Sequence, residues 1–140
     1  MASIFATSLN SKDHPLSATV IYYGILLTND TKVLFNITWP VLGIFGAQDM
    51  AIPVVPVKQF QMALNETGIT NEIYVYPGVG HAFANSSNDN FVPKETADAW
   101  KRTLDFLRKY VYLTLYWNRN KNIHNIQHAV FFKSDFSDYG

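Results

Sequence analysis

The chain has 140 residues, 48% hydrophobic and 15% aromatic, and its eleven basic and eleven acidic side chains cancel to a net charge of zero. That is enough length and apolar content for one domain with a packed core. The charge balance gives no footprint for a nucleic-acid or anionic-membrane surface. The absence of cysteine excludes disulfides, thiolate metal sites and a cysteine nucleophile within these residues.

Residues 1–10 are expected to form a short helix with Ile4, Phe5 and Leu9 on one side, followed by a polar turn over 10–15. The start lacks a basic leader region, and no apolar run reaches the ~20 residues of a membrane span. A cytoplasmic protein is expected. Asn29, Asn36, Asn65 and Asn85 each open an Asn-X-Ser/Thr sequon, which an Asn-rich chain produces by coincidence. The β-branched and aromatic run 19–24 reads as a buried strand. Residues 25–39 show no period, with a turn near Thr28 to Thr31.

The near-continuous apolar run 40–46 has the signature of a strand covered on both faces of a parallel sheet. A helix over 54–67 follows, with Val57, Phe60 and Leu64 on one face and Gly68 at the position of a left-handed C-terminal cap. Residues 72–76 read as a third strand, ended by Pro77-Gly78. Pro93 then opens a strongly amphipathic helix, in which Ala97, Trp100, Leu104, Leu107 and Val111 are expected to line the buried face. The tail 112–140 changes character: Asn118, Asn120, Asn122 and Asn125 cluster there, and it carries no readable period.

This alternation calls for an α/β fold with about three parallel strands, flanking helices and right-handed crossovers. Three strands make an incomplete sheet, and the first would show a long apolar edge if nothing paired with it. Self-association through that edge, as a non-catalytic interaction module, is one functional expectation.

The other comes from two loops. In open α/β sheets, catalytic groups collect at the carboxyl ends of the strands. Asp49 ends the loop Gly46-Ala47-Gln48-Asp49 after one strand, and His81 follows Pro77-Gly78-Val79-Gly80 after the next. Either residue alone is an ordinary soluble loop residue. Together, one strand–helix–strand unit apart, they fit an acid that orients a histidine and a histidine that moves protons. No Gly-X-Ser-X-Gly or Gly-X-Cys-X-Gly elbow occurs to expose a nucleophile. Ser3, Ser8, Ser11 and Ser17 precede Asp49, but none has the small neighbours such an elbow needs. His124 and His128 would share a face on a helix, but with no third ligand they read as a chance pair. No metal site and no cofactor are expected. His14, in a turn beside Pro15, has no assignable partner.

Three segments together resemble the C-terminal half of the dienelactone hydrolase family: Trp39 to Asp49 (Trp-Pro-Val-Leu-Gly-Ile-Phe-Gly-Ala-Gln-Asp), Ile73 to Ala84 with its Pro-Gly-Val-Gly-His-Ala-Phe, and Ala97 to Leu107. Tyr22-Tyr23-Gly24 resembles the end of the preceding strand. The resemblance covers residues 1–111, a partial α/β-hydrolase domain, and leaves 112–140 unassigned. It implies cleavage of a small-molecule ester or lactone by a nucleophile–His–Asp triad, with Asp49 and His81 as acid and base and with Phe83 and Asn85 on the substrate side. It also places the nucleophile a few residues ahead of Met1, so that the chain alone is expected to be inactive. Members acting on dienelactones carry a carboxylate-binding arginine where this chain has Asn85, which argues against an anionic substrate.

Overall fold

The computed structural model describes residues 16–25, 27–112 and 127–133, the last segment by its backbone. The expected helix over 1–10 and turn over 10–15 lie outside the described residues, as do Ser3, Ser8, Ser11, His14 and His124.

Strand β1 (Leu16–Tyr22) is followed by a one-turn helix α1 (Thr31–Leu34), then β2 (Val41–Gly46), α2 (Val54–Glu66), β3 (Asn71–Tyr76), α3 (Pro93–Leu107) and a π-helical turn over Arg108–Tyr112. The three expected strands pair in parallel, β1 with β2 from Thr19↔Val41 to Tyr22↔Ile44, and β2 with β3 from Val41↔Asn71 to Gly46↔Tyr76. β2 is central, and all six of its residues are buried, as its unbroken apolar run requires. β1 starts three residues earlier than expected and stops at Tyr22, because Tyr23 turns into the left-handed region with φ 43°.

A fourth strand, β4 (Gln127–Lys133), pairs in parallel with the outer edge of β1 from Leu16↔Gln127 to Tyr22↔Lys133, giving the order β3-β2-β1-β4. The tail therefore contributes a strand to a region read as unassigned, and it occupies the edge that the sequence left open. His128 lies in this strand, so the helical spacing of His124 and His128 does not apply.

α2 buries Val57, Phe60 and Leu64 as expected, together with Ala63. Gly68 caps it at φ 73°, where its N–H donates to the Asn65 carbonyl and the Ile69 N–H donates to the Leu64 carbonyl. α1 is started by Asp30, whose carboxylate accepts the Lys32 N–H.

α3 forms where expected, but its buried face is turned from the expected one. Ala99, Thr103 and Phe106 are buried, and of the expected residues Leu107 and Val111 pack half-buried against the core, whereas Ala97 is exposed and Trp100 is 53% exposed. The sequence offers two stripes, and the one that wins contains a threonine. The Thr103 hydroxyl donates to the Ala99 carbonyl at 2.9 Å and pairs with the Tyr22 hydroxyl at 2.8 Å, so it is buried without an unmet polar group. α3 is latched to β3 by Asp98, which accepts from the Tyr76 hydroxyl at 2.7 Å and from Arg102 Nε at 2.6 Å, while Arg102 stacks over the Tyr74 ring. Arg102 and then Tyr76 hold the Asp98 carboxyl below its ordinary value of 3.8, and burial followed by Asp98 pushes the Tyr76 phenol up.

Phe106→Ala should lower the unfolding free energy by about 3–5 kcal/mol, and Trp100→Ala by no more than about 1 kcal/mol, in urea titrations. A carboxyl with a depressed folded value stabilises above its unfolded value and loses that contribution as pH falls through the folded one. Asp98→Asn should therefore destabilise at neutral pH, with its urea midpoint converging on that of the parent chain below pH 3.8.

Candidate active site

The loop from β2 to α2 and the loop after β3 meet at the carboxyl end of the sheet. Their backbones are joined directly: Ala47 N–H donates to the Tyr76 carbonyl at 2.8 Å, and Gln48 N–H to the Val79 carbonyl at 2.9 Å. Gly46 is required at this junction. A Cβ there would lie 2.5 Å from the Val79 oxygen and 2.7 Å from the Gly80 oxygen, so any side chain would drive the two loops apart.

Asp49 is buried, with its carboxylate wholly out of solvent. Oδ1 accepts the N–H groups of Ala51 and Ile52, both at 2.9 Å, which fixes the carboxylate plane. Oδ2 lies 2.8 Å from His81 Nδ1, and the imidazole is 14% exposed. A carboxylate offers only acceptors, so Nδ1 carries the hydrogen in this contact.

The histidine loop is held from several sides. Asn90 Nδ2 donates to the His81 carbonyl at 2.9 Å, the Phe83 carbonyl accepts from Val92 N–H and Thr96 Oγ1, and Ala82 takes a left-handed φ of 59°. The Tyr23 hydroxyl accepts the Ala84 N–H at 2.9 Å, and its ring centroid lies 5.5 Å from that of His81.

Beside His81 opens a cleft of about 520 Å³, whose lining includes Gln48, Met50, Asp89, Asn90 and Phe91. Its described lining carries the Asp89 carboxylate and no lysine or arginine. Phe83 is not part of that lining. It is fully buried, with its ring 5.6 Å from Tyr23 and 5.3 Å from Tyr76, and it works as the loop's internal anchor. Asn85 also sits outside the cleft lining, in a turn where its side chain accepts the Ser87 N–H. Ser17, the one candidate serine among the described residues, is buried in the first half of β1, at the far end of the sheet from His81. No group of three metal-binding side chains occurs among the described residues, and no described helix is long and apolar enough to cross a membrane.

Asp49 and His81 were visible in the sequence; Tyr23 and Asn90 were not. Tyr23 reads as the end of a strand, and only its place past the carboxyl end of β1 marks it. Asn90 is one of several asparagines in a polar turn.

An open parallel sheet with an acid–histidine pair on adjacent strand-end loops defines the α/β-hydrolase class. Within it the chain belongs to the dienelactone hydrolase family, whose model matches residues 1–111. It is 32% identical over 103 residues to the "Putative carboxymethylenebutenolidase" of Methylorubrum extorquens, an alignment covering 68% of this chain and 35% of that protein. The protein of the same name from Escherichia coli K12 is 32% identical over 104 residues, covering 68% and 38%. The crystal structure of the "Putative Dienelactone Hydrolase" of Klebsiella pneumoniae superposes with a TM-score of 0.63 at 28% identity, covering 74% of this chain and 45% of that one. The chain thus spans a little over a third of the length of the curated relatives it matches.

Asp49→Asn should keep both amide bonds through the remaining carbonyl oxygen but turn an NH2 group toward His81. The imidazole should then switch to the Nε2–H tautomer, read from ring ¹⁵N chemical shifts. Asp49→Ala, which strips Ala51 and Ile52 of their acceptor, should cost about 2 kcal/mol or more in urea unfolding.

Proposed function

We propose that these residues are the acid–base half of an ester- or lactone-hydrolysing site. The observation that carries this reading is the 2.8 Å contact between the buried Asp49 carboxylate and His81 Nδ1, on adjacent strand-end loops. Asp49 holds the ring in one tautomer and stabilises the imidazolium formed in turnover. Nε2 of His81 accepts the proton of an attacking nucleophile and returns it to the leaving alkoxide, which conserves the proton across acylation and deacylation.

The nucleophile and the donors for the oxyanion come from outside these 140 residues, supplied by a longer chain or a partner. The absence of an elbow motif and the small share of the relatives' length both support this. A neutral substrate is favoured, because the cleft lining holds Asp89 without a lysine or arginine. The rival reading, association through the outer edge of β1, has against it that β4 already fills that edge.

Two measurements test the proposal. The purified 140-residue chain should not turn over p-nitrophenyl acetate; turnover abolished by His81→Ala would show that a nucleophile lies within it. Grafted in place of the matching segment of the Escherichia coli relative, residues 16–111 should support hydrolysis of a neutral ester. His81→Ala in that chimera should reduce kcat by a factor on the order of 10⁴. A folded chimera indifferent to His81 would sink the reading.

A further inference from the structure

The structure assigns Tyr23 as a positioning residue for His81, acting through the hydrogen bond from Ala84 N–H to its hydroxyl. The inference rests on the reading of His81 as a base held by Asp49.

Tyr23 is fully buried, although a phenol at a strand end usually reaches water. It is buried because its hydroxyl has a partner 61 residues away, the Ala84 N–H at 2.9 Å. The ring spans the distance between β1 and the histidine loop, 5.5 Å from His81 and edge-on to Phe83 at 5.6 Å. Its backbone is turned to make this reach. Among the described non-glycine residues, Tyr23 and Ala82 have positive φ, at 43° and 59°; the first is one end of this contact and the second lies two residues before the other end, Ala84. Such conformations persist where the surroundings over-determine them, and they cluster at functional sites.

The other restraints on the loop come from elsewhere. Asn90 holds the His81 carbonyl from the far side of the same loop, and Val92 with Thr96 holds the Phe83 carbonyl from the start of α3. Asp49 fixes where Nδ1 points. Tyr23 is the tie from β1, and it catches the backbone three residues past the histidine. With it, the loop is fastened to all three of the strands whose ends surround the site.

The test uses the ¹⁵N-labelled 140-residue chain. The parent protein should show a far-downfield Nδ1–H resonance for His81, the mark of its bond to Asp49, together with slow exchange of the Ala84 amide. Tyr23→Phe keeps the ring and removes the acceptor. It should speed Ala84 exchange about tenfold, one hydrogen bond's worth, and should broaden or abolish the Nδ1–H resonance. Tyr22→Phe is the control: it loses the neighbouring bond to Thr103 and should leave the His81 resonance in place.

If the parent chain shows no Nδ1–H resonance, the Asp49–His81 pairing fails and takes the inference with it. If the resonance is present and unchanged in Tyr23→Phe, or is lost equally in both variants, the positioning role alone is overturned. If Tyr23→Phe does not fold, 4-fluorophenylalanine at position 23, which keeps the ring and its volume but is a far weaker acceptor, takes its place: a broadened or lost His81 resonance upholds the role, and an unchanged one overturns it.

Discussion

The buried carboxylate of Asp49 is the constraint around which this end of the molecule is organised. A carboxylate removed from solvent is tolerated only if its lone pairs are met, and here three donors meet them: two backbone amides and one imidazole. Meeting them requires the chain to turn tightly after β2, so that Ala51 and Ile52 fold back over Oδ1. It also requires the loop after β3 to bring His81 within reach of Oδ2. Gly46 permits that approach because nothing larger than hydrogen fits between the two loops. Loss of any one donor leaves a charge in a place where water does not compensate it.

The same economy runs through the neighbouring polar groups. Thr103 is buried against the sheet with its hydroxyl satisfied twice, and Tyr23 with its hydroxyl satisfied by a distant amide. Asp98 gathers a phenol and a guanidinium at the solvent side of β3. A parallel sheet makes these meetings possible because it brings successive strand ends to one edge of the molecule. β1 delivers Tyr23, β2 delivers Asp49 and β3 delivers His81, and the histidine is fixed by groups that no single segment contains.

What the sequence revealed, and what it hid, divides along that line. β2 and the amphipathic face of α2 follow from local apolar patterning, and Gly68 from its place after the last helical turn. The placing of Asp49 and His81 follows from their positions just past two strands. The face that α3 buries does not follow, because Thr103 counts as polar until its two partners are known, and those partners come from its own backbone and from β1. Tyr23 was hidden for a related reason: its partner lies 61 residues on and is a main-chain amide, which no side-chain pattern announces. Phe83, beside the histidine in sequence, looks like a substrate contact, yet its ring faces inward between Tyr23 and Tyr76. β4 was the hardest to see. A short apolar run in an Asn-rich tail signals no parallel pairing with a strand more than a hundred residues earlier.

That pairing has a topological consequence. A strand has two sides, and both sides of β1 are taken, by β2 and by β4. Any strand that extended this sheet beyond β1 would have to evict β4 or line up outside it. In the second case it would stand one interstrand spacing of about 4.8 Å further from Asp49 and His81. Residues that lie outside the family's span thus govern how close a neighbouring strand comes to the acid–histidine pair.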